Sequence, residues 1–166
     1  RPLTLNKPKA LIPVGNQPMI DRVIRYLTGY NVDHVIVNVH HHPNQMTAHL
    51  GDGSFFGIRV QTTVEPRILG TGGAIKNTEG FWDSDPFIVI NSDILTDIHL
   101  DRALDAHQSA GNLATLILHD YGPFNQVCIS RDLDILDIGS EKAPGRLAFT
   151  GIHILAPDIL DVIPGQ

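Results

Sequence analysis

The apolar run Ile88-Val89-Ile90 stops at Asn91-Ser92-Asp93, the pattern of a buried strand with a carboxylate at its carboxyl end. In open α/β sheets, ligands bind outside the carboxyl ends of the strands. An aspartate there is placed to hold Mg²⁺, a hard cation that takes oxygen ligands and substrate phosphates. The same Asp93 could instead cap the turn that follows, as Asp often does. Asp97, the other acid nearby, reads more naturally as an N-cap for the next helix.

A second candidate is Glu65-Pro66-Arg67-Ile68-Leu69-Gly70-Thr71-Gly72-Gly73-Ala74-Ile75. Three glycines in four residues let the backbone approach a flat or anionic ligand closely. The helix predicted to follow would present unpaired N–H groups to a base edge or a phosphate. A tight strand-to-helix turn would use the same glycines, so the spacing alone leaves both readings open.

A third candidate is Asn6-Lys7-Pro8-Lys9-Ala10-Leu11-Ile12-Pro13-Val14. A proline-stiffened segment aims an ammonium with little loss of entropy, and Lys is a point charge suited to phosphate. Two solvated loop lysines are the plain alternative. His40-His41-His42 invites a metal reading, but neighbouring side chains on extended backbone point in alternate directions. A specific metal site is not expected there.

Hydrophobic periodicity supplies the elements that must position these groups. Prolines at 2, 8, 13 and 18 make residues 1–18 an extended lead. Ile20, Val23, Ile24 and Leu27 predict an amphipathic helix over 19–30. Strands follow at 35–39, 58–64, 87–90 and 114–118, separated by helices at 43–50, 71–78 and 100–109. Short strands at 127–130 and 133–138 read as a hairpin, with a further strand at 149–155 and a helix over 157–163. The prediction is an α/β fold: a Rossmann-like, mostly parallel sheet flanked by helices, with antiparallel strands added in the C-terminal half. All 166 residues fit one domain.

Net charge is −6 with no basic run, which argues against a nucleic-acid surface. It does not argue against a single nucleotide, because backbone N–H groups hold phosphates without net positive charge. One cysteine, Cys128, excludes an intrachain disulfide and favours a reducing compartment. Within Val127-Cys128-Ile129 it reads as a packed thiol. No apolar run approaches the ~20 residues of a membrane span, and no leader pattern is visible. The cytoplasm and no membrane partner are therefore the expectations, with room for a homo-oligomer. Neither Arg1 nor Gln166 reads as a natural terminus.

Taken together, Arg1-Pro2-Leu3-Thr4, Lys7 to Val14, Gln17-Pro18-Met19-Ile20, Glu65 to Ile75 and Asn91-Ser92-Asp93 resemble the sugar-1-phosphate nucleotidyltransferases in order and spacing. The resemblance is strongest to bacterial mannose-1-phosphate guanylyltransferase-like and N-acetylmuramate-1-phosphate uridylyltransferase-like members. Pro144 to Ile152 looks like the sugar-side strand of the latter. The resemblance implies an enzyme that takes an NTP and a sugar 1-phosphate, with Mg²⁺ as cofactor. It implies that Lys9 contacts the phosphates and leaving pyrophosphate, and that Asp93 binds the metal. Glu65, Gly70, Thr71, Gly72, Gly73 and Asn91 fall on the nucleotide side. Asn125, Glu141, Thr150 and Gly151 fall on the sugar side, Asn125 through its backbone and Glu141 as part of a Glu-Lys pair with Lys142.

The family opens with a strand and a Gly-x-Gly-Thr-Arg loop ahead of the Arg-Pro-Leu-Thr stretch, and its second metal aspartate lies in a C-terminal part. The 166 residues contain neither. Two rival functions stand beside transfer. A glycosyltransferase on a related fold would place Asp-x-Asp where Asn91-Ser92-Asp93 stands. A non-catalytic nucleotide or sugar-phosphate sensor on the same fold would release no pyrophosphate.

Overall fold

The computed structural model describes residues 3–83, 85–139 and 145–165. The proline-rich lead is more folded than the sequence predicts. Lys9–Leu11 form a 3₁₀ turn, and β1 (Pro13–Val14) pairs antiparallel with β2 (Gln17–Pro18) around Gly15. Two local contacts tighten it. Arg22 forks onto the Val14 carbonyl through Nε (3.0 Å) and Nη2 (2.7 Å), and the Met19 N–H reaches the Ile12 carbonyl at 3.1 Å.

Helix α1 (Met19–Thr28) carries two apolar stripes rather than one. Ile20 and Ile24, one turn apart, pack with Ala10, Leu11, Val39, Met46, Leu50 and Val60. Val23 and Leu27 pack instead with Leu100 and Ile152. One helix thereby joins two cores. It ends two residues before the predicted 30, where the Tyr30 N–H turns back to the Leu27 carbonyl and Asn31 adopts φ 60°.

Strands β3 (His34–Val39) and β4 (Arg59–Val64) pair parallel in full register, from His34 opposite Arg59 to Val39 opposite Val64. Helix α2 (Pro43–Leu50) crosses between them, its proline in the tolerated first turn. Then come α3 (Gly70–Lys76), β5 (Phe87–Ile90), α4 (Leu100–Ala110), β6 (Ala114–His119), β7 (Asn125–Ile129), β8 (Ile135–Ile138), β9 (Arg146–Leu155) and α5 (Ile159–Val162). Asp97 does not cap α4 as expected. His99 holds the N-cap position, and Thr96 Oγ1 accepts the Ile98 N–H instead.

The α/β class and the antiparallel C-terminal strands match expectation. The pairing departs from a mostly parallel sheet for a topological reason. β9 runs antiparallel to β5, β6 and β7. Residues 153–155 of β9 pair with β5 and β6 together, so these two flank it and run alike without touching each other. Among the described residues, parallel pairing is confined to β3 and β4. β9 begins three residues earlier than predicted, at Arg146, to reach β7. Cys128 is half-buried rather than fully packed, because β7 lies beside the exposed strand β8.

Between β3 and β5 the sheet is open. Neither strand pairs on that side with another among the described residues. The gap is a cleft of about 1320 Å³. Its walls are the two strands, Val23, Ile24 and Leu27 of α1, and Ala74 and Ile75 of α3. Both strands start at the same end of it, because His34 of β3 touches Phe81 (4.0 Å between ring centroids), Phe81 touches Trp82, and Trp82 stacks on Phe87 of β5.

Candidate functional site

Lys9 and Asp93 meet. The 3₁₀ turn lifts the lysine over the end of β5, and its ammonium forms an ion pair with Asp93 Oδ2. Asp93 does not cap its own turn, which is closed by the Ile94 N–H on the Asn91 carbonyl at 3.3 Å. The pair stays accessible, with the lysine side chain 69% and the aspartate 31% exposed. The segment behind Asp93 is pinned to α1 and the turn after it: the Tyr26 and Tyr30 hydroxyls both donate to the Ile98 carbonyl, at 2.5 and 3.0 Å. Burial, then the neighbouring Tyr30, push the Tyr26 phenol up to about 12, so it remains a donor at neutral pH.

The glycine-rich segment opens α3 itself. Gly70, Thr71, Gly72 and Gly73 are its first four residues, not a turn before it, and Gly70 takes φ +70°. Glu65 lies below them and is buried. One carboxylate oxygen accepts the Asn38 amide at 3.0 Å, and the other accepts the Leu69 N–H at 3.3 Å. Its contacts within the chain thus shape the loop from inside. Glu65, Gly70, Thr71 and Asn91 all line the cleft between β3 and β5.

On the opposite side, Gly151 interrupts β9 with φ +83°. A Cβ there would lie 2.6 Å from Ile94 Cδ1 and 2.7 Å from Asn91 Nδ2. The Asn91 N–H donates to the Gly151 carbonyl at 3.1 Å. Only a glycine therefore lets the Asp93-bearing turn seat against β9. Thr150 turns its hydroxyl to the Ile117 carbonyl at 2.8 Å, locking β9 to β6. Asn125 stands opposite Ala148 of β9, with its side chain spent on Asp120 (2.7 Å) and the Tyr121 N–H (2.8 Å). Glu141 and Lys142 lie outside the described residues.

The fold thus joins Lys9 to Asp93, Asn91 to Gly151, and Glu65 to the Leu69 N–H just ahead of the glycines. The three histidines take separate carbonyl partners, on Glu65 (2.8 Å), Thr4 (3.4 Å) and Leu5 (3.2 Å). Sequence reasoning missed Asn38, although its signal was present as the one polar residue in Val35-Ile36-Val37-Asn38-Val39.

Asp93 fits Mg²⁺ by its chemistry: an accessible carboxylate at a strand end, for an ion that takes one or two protein carboxylates and fills its shell with phosphate oxygens and water. Among the described residues no group of three His, Cys, Asp or Glu side chains forms a complete cage. No helix among them is long and apolar enough to cross a membrane.

The likeness to known proteins covers the same ground. A family model described as nucleotidyl transferase matches residues 1–126. A mannose-1-phosphate guanylyltransferase of Mycobacterium tuberculosis is 30% identical over 169 residues, covering 99% of this chain and 47% of that protein. A mannose-1-phosphate guanyltransferase of Kluyveromyces lactis is 32% identical over 173 residues, covering 98% and 48%. The chain spans about half the length of the curated relatives it matches. The solved structure of HddC from Yersinia pseudotuberculosis superposes with a TM-score of 0.82 at 22% identity, over 95% of this chain and 71% of that one, a likeness of fold. With the family model spanning the lysine turn, the glycine-rich loop and the strand-end aspartate, the chain belongs to the nucleotidyl transferase family.

Proposed function

We propose that this chain forms the core of an enzyme that transfers a nucleoside monophosphate from an NTP to a sugar 1-phosphate and releases pyrophosphate. The single observation that carries the reading is the Lys9–Asp93 pair at the end of β5, on the turn whose Asn91 and Ile94 seat against Gly151. The relatives named as guanylyltransferases support it.

A phosphate oxygen of the sugar 1-phosphate attacks the α-phosphorus in line, and the bond to the bridging oxygen of pyrophosphate breaks. The nucleophile is already anionic, so no general base is needed. Catalysis then rests on positioning and charge neutralisation. The glycine-rich backbone of α3 takes the nucleotide, Lys9 neutralises charge on the leaving pyrophosphate, and the Asn125, Thr150 and Gly151 backbone borders the sugar. Asp93 would hold Mg²⁺, which when bound supplies charge neutralisation at the phosphate oxygens. Glu141 is assigned to the sugar hydroxyls by resemblance.

The reading includes one more element: an extended apolar segment between β3 and β5. The unpaired facing edges and the apolar side chains of α1 and α3 that line the cleft support it. The test is a panel of triphosphates crossed with sugar 1-phosphates and full-length protein, read by pyrophosphate release. Release with one favoured combination is expected. Nucleotide binding without release in every combination would favour the sensor and sink the transferase.

A further inference from the structure

Asn38 Nδ2 donates to Glu65 Oε1 at 3.0 Å and to the Ala74 carbonyl at 2.9 Å. A carbonyl can only accept, and so does an ionised carboxylate, so the amide nitrogen must face them. The second Glu65 oxygen takes the N–H of Leu69, the residue just before α3. Ala74 sits in the last turn of α3. Its carbonyl lacks the usual helical partner because the Thr78 N–H goes to the Ile75 carbonyl at 3.0 Å. One side chain of β3 thus holds both ends of the segment 65–76, the entry through Glu65 and the exit through Ala74. Gly70–Gly73 lie between these ends, and glycine backbone does little to fix its own shape.

We propose that Asn38 is a positioning residue for the nucleotide end of the site, setting the attitude of the Gly70–Gly73 backbone from behind without touching the ligand. The inference rests on the nucleotidyl transfer reading. It predicts a defect confined to one substrate, which a residue serving stability alone would not produce.

The test compares N38A, N38D and N38D/E65Q with wild type in the full-length enzyme. In N38A and N38D the KM for the NTP should rise about tenfold or more while the KM for the sugar 1-phosphate moves less than about twofold. Amide exchange at Leu69 and Thr78 should quicken in N38A, with β6 and β9 unchanged. N38D/E65Q reverses donor and acceptor across the pair and should recover part of the lost NTP affinity. Should N38A fail to fold, N38S, which keeps one donor, carries the same comparison. Equal rises in both KM values, or an unchanged NTP KM despite faster exchange, would overturn the proposal. If wild type releases no pyrophosphate, the transfer reading fails instead. Calorimetric NTP affinity then decides the part of Asn38: weaker binding in N38A upholds it and unchanged binding overturns it.

Discussion

Lys9 and Asp93 stand 84 positions apart and close into one ion pair at the carboxyl end of β5. Neither group is locked there by burial, since the lysine side chain is 69% exposed. An exposed pair contributes only ~0–1 kcal/mol to stability. Its placement is therefore better explained by what it can meet than by what it holds together.

Asp93→Asn and Lys9→Ala should each lower kcat by about 10²-fold or more, the scale for removing one preorganised charge-stabilising group. Their unfolding midpoints should stay within the error of wild type. Pyrophosphate release and denaturant melts measure the two quantities. A loss of stability that tracks the loss of turnover would make the pair structural.

Gly151→Ala should destabilise the protein by about 1–3 kcal/mol from backbone strain alone. The new methyl would also press on Ile94 and Asn91 at 2.6 and 2.7 Å. The Asp93 turn would have to shift, so turnover should fall with stability. Thermal melts and initial rates on one preparation check both, and a variant with wild-type values would refute the close-approach account.

His153 makes stability depend on pH. It lies in β9 opposite Val89 and Leu116, buried, and its Nδ1 has no hydrogen-bond partner among the described residues. Burial lowers its pKa below the ordinary 6.5, and His34 and His107 shift the same way, chiefly for the same reason. Below 6.5 the unfolded chain binds protons that the folded chain refuses, so stability rises with pH across that window. The protein should keep its full stability above pH 6.5 and lose it progressively as the pH falls. His153→Leu should flatten the slope in urea melts recorded from pH 7.5 down to pH 5, values that bracket the ordinary imidazole range. An unchanged slope would remove His153 from the account.

The cleft between β3 and β5 predicts a binding preference. Val23, Ile24 and Leu27 of α1 and Ala74 and Ile75 of α3 line it, so an inserted strand should be apolar on consecutive residues rather than alternate ones. A peptide with a run of about six β-branched residues, long enough to follow β3, should raise the melting temperature. One with alternating charges should not. Equal effects from both peptides would show that the edges do not select a strand.

Much of this is legible in the sequence. The spacing of Ile20, Val23, Ile24 and Leu27 located α1, and the stop at Asn91-Ser92-Asp93 located a strand-end carboxylate. Both are signals carried within a few neighbouring residues. The division of α1 into two stripes facing two cores was not readable, because it depends on what packs against each face. The same limit hid β9 between β5 and β6. Pairing partners are set by strands distant in sequence, and a local alternation of strand and helix suggests a simpler parallel order. Glu65 was placed on the nucleotide side, but the inward direction of its carboxylate is set by Asn38, which lies 27 positions earlier. The N-cap expected at Asp97 failed because the chain turns through Thr96 first.

Trp82 is the only tryptophan in the chain. Its ring stacks on Phe87 with centroids 4.0 Å apart and planes 10° apart, at the edge of the open sheet. Its indole N–H is tied to Thr78, two residues past α3. The molecule therefore contains a single indole fluorophore wired to both the strand that leads to Asp93 and the segment that follows the glycine-opened helix. Its emission wavelength and quenching should report, without any label, when the cleft fills or the glycine-rich helix moves.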